Sequence, residues 1–220
     1  MSAPACIAVL GGSFDPVHKG HVALAEHFIE VLQPDALRIV PAGNPWQKQA
    51  VLAPAQDRVA MLRAAFGTAF GASGIPVSID EQEIRRPGPS YTIDTLRAIR
   101  AEVGPASAIV FLMGADQLQR LHTWHAWREL FDYAHLCAAA RPGFAMQAEA
   151  QEMAQEFARR AASPAAIRGT PSGSSFLAPD LAVDIAATEL RSTLQRGGLP
   201  VSQLPAAVLD YIEQHHLYRN

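Results

Sequence analysis

A short apolar run, Ile7-Ala8-Val9-Leu10, breaks at Gly11-Gly12 and gives way to a helical pattern in which Val22, Ala25, Phe28, Ile29 and Leu32 recur at three- and four-residue steps. Strand, glycine turn and helix in that order constrain the fold more than any other stretch, because they open a parallel β-α-β unit. The turn also carries a chemistry. Gly11 and Gly12 let backbone approach a ligand with no Cβ in the way, and the N–H groups and positive dipole end of the helix favour an anion. His18 and His21 are spaced to face the same way on a first helical turn. Neither G-x-x-x-x-G-K-[ST] nor G-x-G-x-x-G occurs. The turn reads as a polyphosphate site of another kind. Zinc fits His18 and His21 less well, since metal histidines on one helix usually sit four apart and no third ligand is near.

The same alternation continues downstream. Ala36 to Val40 predicts a second strand closed by Pro41-Ala42-Gly43, and Gln56 to Phe70 a helix with Val59, Leu62, Ala65 and Phe66 on one face. Pro76 to Asp80 predicts a short strand and Thr92 to Glu102 a helix. Ala108 to Met113 and Ala134 to Ala140 are continuous apolar runs, as expected of strands covered on both faces. The expected fold is α/β, a Rossmann-like doubly wound parallel sheet with helices on both faces and right-handed crossovers. Ligands then lie at the carboxyl ends of the strands. The loops opening at Gly11, Pro41, Gly114 and Arg141 should therefore gather on one edge. From 144 to 181 the pattern breaks: Met146 to Ala162 is helix-prone, and Ser163 to Pro179, rich in Ser, Pro and Gly, is expected to be a loop. A strand over Leu181 to Ile185, a helix starting near Thr188 and a last helix from Pro205 to about His216 complete the chain.

Composition narrows the class. The 220 residues, 49% of them apolar, suffice for one sizeable core. A net charge of −3 argues against a broad basic surface for nucleic acid. No long apolar run suggests a membrane span, and Met1 to Leu10 lacks the charged start and length of a signal peptide. Cys6 and Cys137, far apart in separate apolar strands, fit a reducing, cytoplasmic setting. A homo-oligomer is compatible with all of this, and no feature of the sequence sets the oligomeric state.

Gly11-Gly12-Ser13-Phe14-Asp15-Pro16-Val17-His18-Lys19-Gly20-His21 is similar to the GGxFDPxHxGH signature of the nucleotidyltransferase superfamily with an (H/T)xGH motif. Four further blocks resemble the bacterial nicotinate-nucleotide adenylyltransferases. These are Pro89-Ser90-Tyr91-Thr92 with Asp94-Thr95-Leu96, Gly114-Ala115-Asp116 through Trp124 and Trp127, Ile185 to Arg191, and Leu204-Pro205 through Tyr211 to Leu217-Tyr218. Arg141-Pro142-Gly143 resembles the family's ARPG strand end. The resemblance spans nearly the whole chain outside 144–181. It implies a single nucleotidyltransferase domain over 1–220, with 144–181 variable and a strand and helices over 182–220. The implied reaction joins ATP and nicotinate mononucleotide into nicotinate adenine dinucleotide and pyrophosphate. ATP is then a substrate, and Mg²⁺ is expected on the phosphates and water rather than in a protein cage.

The resemblance also distributes roles. His18, His21, Lys48 and Arg191 would carry catalysis, with His21 nearest the reacting phosphorus. Gly11, Gly12, Ser13, Phe14, Gly20, Gly114, Asp116, Arg141 and Thr188 would join them around ATP, Asp116 at ribose hydroxyls. Ser90, Tyr91, Thr92, Lys48 and Trp124 would hold the mononucleotide, with the nicotinate carboxylate at the 90–92 turn and the ring on Trp124. Elementary chemistry agrees: a phosphate nucleophile with a second pKa of about 6 is mostly ionised at pH 7 and needs no side-chain base. Alignment and charge neutralisation remain for the protein. Thr188 reads as an N-cap, which places the cation Arg191 in a helix's first turn, unfavourable unless an anion binds there. Ala186 and Ala187 replace the family's serines, and Gln47 stands where many relatives have histidine, so the roles of those side chains do not transfer. His122, His125, His135 and His215 have no constellation around them and read as structural. Alternatives at this point are a pantetheine-phosphate or nicotinamide-mononucleotide adenylyltransferase, or a nucleotide sensor without catalysis.

Overall fold

The structure, a computed structural model, describes residues 4–44, 53–70, 74–139, 150–178, 181 and 185–219. Its strands are β1 (Cys6–Gly12), β2 (Ala36–Pro41), β3 (Val77–Ile79), β4 (Ala108–Gly114), β5 (His135–Ala139) and β6 (Ser175–Ala178). The helices are α1 (Lys19–Leu32), α2 (Ala55–Phe70), α3 (Gln82–Arg85), α4 (Thr92–Val103), α5 (Ala115–Arg120), α6 (Leu130–Tyr133), α7 (Gln151–Arg159), α8 (Pro164–Gly169), α9 (Ala187–Gln195) and α10 (Ala206–Gln214). All strand pairs are parallel, in the order β3-β2-β1-β4-β5-β6. The winding direction reverses between β1 and β4, where the crevice of a doubly wound sheet opens.

Alternation along the strands fills two cores, as expected when both faces are covered. Ala8, Leu10, Val110 and Leu112 join Leu24, Phe28, Met61 and Leu209 on one face. Val9, Ile109, Phe111 and Met113 join Ile93, Leu96, Trp127 and Leu130 on the other. The fold class and the first five strands agree with the sequence reading. Among the described residues no helix is long and apolar enough to cross a membrane.

The expected loop over Ser163 to Pro179 is corrected. Ser163 caps α8, accepting from the Ala166 N–H at 3.3 Å, with Pro164 in the first turn. These start signals were present in the sequence but were masked by the turn-rich composition. Ser175 to Ala178 is the edge strand β6, paired with β5. The buried Ser175 hydroxyl donates to the Phe157 carbonyl. Within the helix expected over Met146 to Ala162, α7 covers Gln151–Arg159. The strand expected at Leu181 to Ile185 lies mostly outside the described residues, only its two ends being included.

His135 is structural, as read, and sets a pH limit. Its Nε2 lies 2.7 Å from the Thr170 carbonyl and its Nδ1 accepts from the Ser174 N–H at 3.1 Å. That combination requires a neutral ring protonated at Nε2. Burial lowers the His135 pKa below its usual value. The stability it contributes is therefore complete above the unfolded-state pKa of about 6.5 and is lost as pH falls through the lower folded-state value. Melting temperatures from pH 8 to 5 should fall less steeply for His135→Gln than for the parent chain, and parallel curves would rule His135 out.

Candidate active site

The loop between β1 and α1 is built on aromatic rings. A Cβ at Gly11 would come 3.1 Å from the Phe111 ring, and one at Gly12 3.1 Å from the Phe14 ring. Ring packing within the protein therefore favours glycine at both positions, since a Cβ would fit only if the rings shifted by a few tenths of an ångström. Phe14, in the left-handed region at φ 49°, is buried beneath the loop and stands edge-on to His21 with ring centroids 5.0 Å apart. The Phe14 ring thus supports the loop from beneath.

His18 is the N-cap of α1 and His21 its third residue. Their rings lie 3.7 Å apart at 31°, so the sequence-predicted pair is assembled. The His18 backbone N–H donates to His21 Nδ1 at 3.2 Å. An Nδ1 that accepts leaves the ring proton on Nε2, so His21 presents an N–H donor while neutral. The helix end itself is less open than the sequence suggests. The Lys19 N–H is bonded to the Gln203 carbonyl and the His21 N–H to the His18 carbonyl, both at 2.9 Å. Side chains therefore matter more here than a bare cradle of backbone donors. Gly20 lies in this first turn between the two.

A buried acid underlies the loop. Asp15 is fully buried. Its Oδ1 accepts from the Tyr218 hydroxyl at 2.7 Å and from the Ala53 N–H at 3.1 Å. Arg191 Nη1 donates to the Asp15 carbonyl at 2.7 Å and lies 3.6 Å from Oδ2, while Nη2 donates to Thr188 Oγ1 at 3.2 Å. Arg58, also buried, donates to the Ser13 and Ala53 carbonyls at 2.8 and 3.1 Å. Burial lowers the Arg58 pKa and raises that of the Tyr218 phenol. Sequence reading found Arg191 and Thr188 but missed Asp15, Arg58 and Tyr218. It also misplaced the cap: α9 begins at Ala187 with Ala186 as N-cap, so Thr188 is the second residue and Arg191 lies beyond the first turn.

The third wall is the turn before α4. Ser90 Oγ accepts from the N–H groups of Gly43 and Asn44 at 3.1 and 3.0 Å, and the Ser90 N–H donates to the Asn44 carbonyl at 2.9 Å. Ser90 is thus a brace between two loops, and its donors are committed within the protein. The brace needs Gly43, where a Cβ would fall 2.1 Å from the Glu83 carbonyl oxygen. Below it the buried Glu83 carboxylate accepts from Thr95 Oγ1 at 2.6 Å, and burial pushes its pKa up. Tyr91 caps α4 and Thr92 begins it. The first N–H groups of such a helix have no acceptor within it.

The two tryptophans stand at separate turns. Trp124 follows a 3₁₀ turn over Leu121–Thr123, and Trp127 opens another after Ala126 at φ 51°. Trp127 is buried in the core, while Trp124 is half-buried and edge-on to Phe111, with centroids 6.0 Å apart at 79°. Gly11, Phe111 and Trp124 therefore form one packed row across the switch point. His125, read as structural, lies 4.6 Å from the Tyr91 ring. Gly114 caps α5 and Asp116 is exposed in its first turn. Lys48, Gln47 and Arg141 lie outside the described residues.

The cytidylyltransferase-like family model matches residues 9–191. A protein of Herminiimonas arsenicoxydans named "Probable nicotinate-nucleotide adenylyltransferase" is 63% identical over 217 residues, 98% of this chain and 97% of that one. One of the same name from Laribacter hongkongensis is 43% identical over 215 residues, 97% and 94% of the two chains. The Plasmodium falciparum nicotinic acid mononucleotide adenylyltransferase complexed with NaAD superposes with a TM-score of 0.72 over 97% of both chains at 17% identity, a likeness of fold. With its strand order, its histidine pair at the switch point and relatives matched from end to end, this chain belongs to the nicotinate-nucleotide adenylyltransferase family, within the cytidylyltransferase-like nucleotidyltransferases.

Proposed function

We propose that this chain transfers the adenylyl group of ATP to nicotinate mononucleotide, a step of NAD biosynthesis, acting as one nucleotidyltransferase domain over residues 1–220 in the cytoplasm. An oxygen of the mononucleotide phosphate attacks the α-phosphorus, the bond from that phosphorus to the bridging oxygen breaks, and pyrophosphate leaves. The observation that carries the reading is the His18–His21 pair, its rings in tilted contact at the start of α1, with His21 Nδ1 engaged by the His18 N–H. His21 Nε2–H donates to the reacting phosphate, and His18 and Arg191 face the β- and γ-phosphates. These preorganised donors meet charge as it builds at the α-phosphate. Lys48 joins them in this reading, with Arg141 and Asp116 at the nucleotide.

Mg²⁺ carried by the triphosphate would be held by phosphate oxygens and retained waters and would neutralise phosphate charge. The nicotinate carboxylate meets the N-terminus of α4, through the N–H groups of Thr92 and Ile93, because those of Ser90 are committed to the brace.

Trp124 provides the ring face for the pyridine. Aromatic stacking on a base is worth about 1–3 kcal/mol. Trp124→Ala should therefore raise the Michaelis constant for the mononucleotide between about fivefold and a hundredfold while leaving that for ATP close to unchanged. Unchanged constants for both substrates would remove Trp124 from the site.

The reaction is tested by pyrophosphate release with MgATP and, in parallel, nicotinate mononucleotide, nicotinamide mononucleotide and 4′-phosphopantetheine. A strong preference for the nicotinate substrate is expected. Equal use of the two mononucleotides would remove the α4 turn as selector. Release only with phosphopantetheine, or ATP binding without any release, would overturn the reading.

A further inference from the structure

We propose that Asp15 and Tyr218 are positioning residues for Arg191: the Tyr218 hydroxyl holds the Asp15 carboxylate so that the acid, through its backbone carbonyl and Oδ2, fixes the guanidinium beside the triphosphate loop. The inference rests on the reading of Arg191 as a phosphate ligand. Three observations carry it. Asp15 is fully buried, yet the partners of its two oxygens are divided: Tyr218 and Ala53 on Oδ1, Arg191 at 3.6 Å from Oδ2. Among the described residues, Oδ2 accepts no hydrogen bond. The same guanidinium is bonded at 2.7 Å to the carbonyl of Asp15, so residue 15 grips Arg191 from both its backbone and its side chain.

A buried carboxylate is tolerated when its lone pairs are met by donors. Tyr218 provides the shortest donor contact to that acid, from a position 203 residues downstream. The neighbouring cation Arg58 is occupied with the Ser13 and Ala53 carbonyls. Without the Tyr218 hydroxyl, Oδ1 keeps one backbone donor, and the acid gains by turning toward Arg191 and drawing it away from phosphate. The burial-raised phenol pKa keeps Tyr218 a donor across the working pH range.

Tyr218→Phe deletes one oxygen and preserves the ring. It should raise the Michaelis constant for ATP about tenfold, the effect of one lost hydrogen bond to a charged group, with that for nicotinate mononucleotide unchanged. The decisive readout is a double-mutant cycle. In an Arg191→Ala background, Tyr218→Phe should have almost no further effect on the ATP constant. If Tyr218 serves only the general fold, its effect will be the same in both backgrounds, and the proposal fails. Asp15→Asn, which keeps shape and removes charge, supplies a second cycle if Tyr218→Phe does not fold, and full additivity there also overturns the idea. Should the parent chain release no pyrophosphate, the same cycles are read from ATP affinity by calorimetry. The functional reading would then fall on its own, and the coupling between residues 15, 191 and 218 would still be decided.

Discussion

His21→Ala should lower turnover by roughly 10²–10³-fold, the loss typical of one preorganised donor to developing charge, while the Michaelis constant for ATP changes little. The geometry explains the split. His21 is held before substrate arrives, by the His18 N–H on Nδ1 at 3.2 Å and by the edge of Phe14. Its Nε2–H therefore costs no reorganisation when charge builds at the α-phosphate. An interaction made mainly in the transition state appears in turnover and not in ground-state binding. His21→Gln, which restores an N–H at similar reach without the ring, should recover part of the loss. A large rise in the ATP constant with turnover intact would make His21 a ground-state phosphate ligand.

Arg191→Ala should combine two losses that a second substitution separates. Loss of a charged donor to phosphate should raise the ATP Michaelis constant by about 10- to 100-fold. The change also takes from the buried Asp15 carboxylate the guanidinium at ion-pair distance, leaving Arg58 as the neighbouring cation, and removing one partner of a buried pair costs about 3–5 kcal/mol. Arg191 is partly solvated, so the lower end applies. Asp15→Asn in the Arg191→Ala background should restore most of the melting temperature and none of the ATP affinity. If it restores neither, the instability comes from lost packing of the Arg191 side chain and not from an orphaned charge.

The sequence carried the sheet and the histidine pair because both are written in local spacing. Ala108 to Met113 is apolar at every position, since its alternate residues feed two cores. His18 and His21 need only one helical turn to meet. Much of the rest was hidden for one physical reason: its partners are remote. The role of Phe111 depends on Gly11 in a neighbouring strand and on Trp124 in a later loop. Ser90, which had the signature of a free donor, is consumed by Gly43 and Asn44 across 47 and 46 residues. The contacts of Asp15 with Arg191 and Tyr218 cross 176 and 203 residues. Periodicity reports which face of an element is apolar and is silent about which distant hydroxyl will satisfy a buried acid. β6 was missed differently, because a four-residue edge strand set among turn residues has too little length to show a period.

The separation between Asp15 and Tyr218 has a consequence for biosynthesis. Chains emerge from the ribosome N-terminus first, at about 5–20 residues per second. The five strands through Ala139 are therefore made before Arg191 and Tyr218 exist, and synthesis from 139 to 218 takes on the order of 4–16 s. During that interval the central strands have been made, while the acid beneath the β1–α1 loop lacks Arg191 and the Tyr218 phenol. Pauses placed between these positions would lengthen the exposure of a half-built site to chaperones and proteases, whereas pauses before β4 would not.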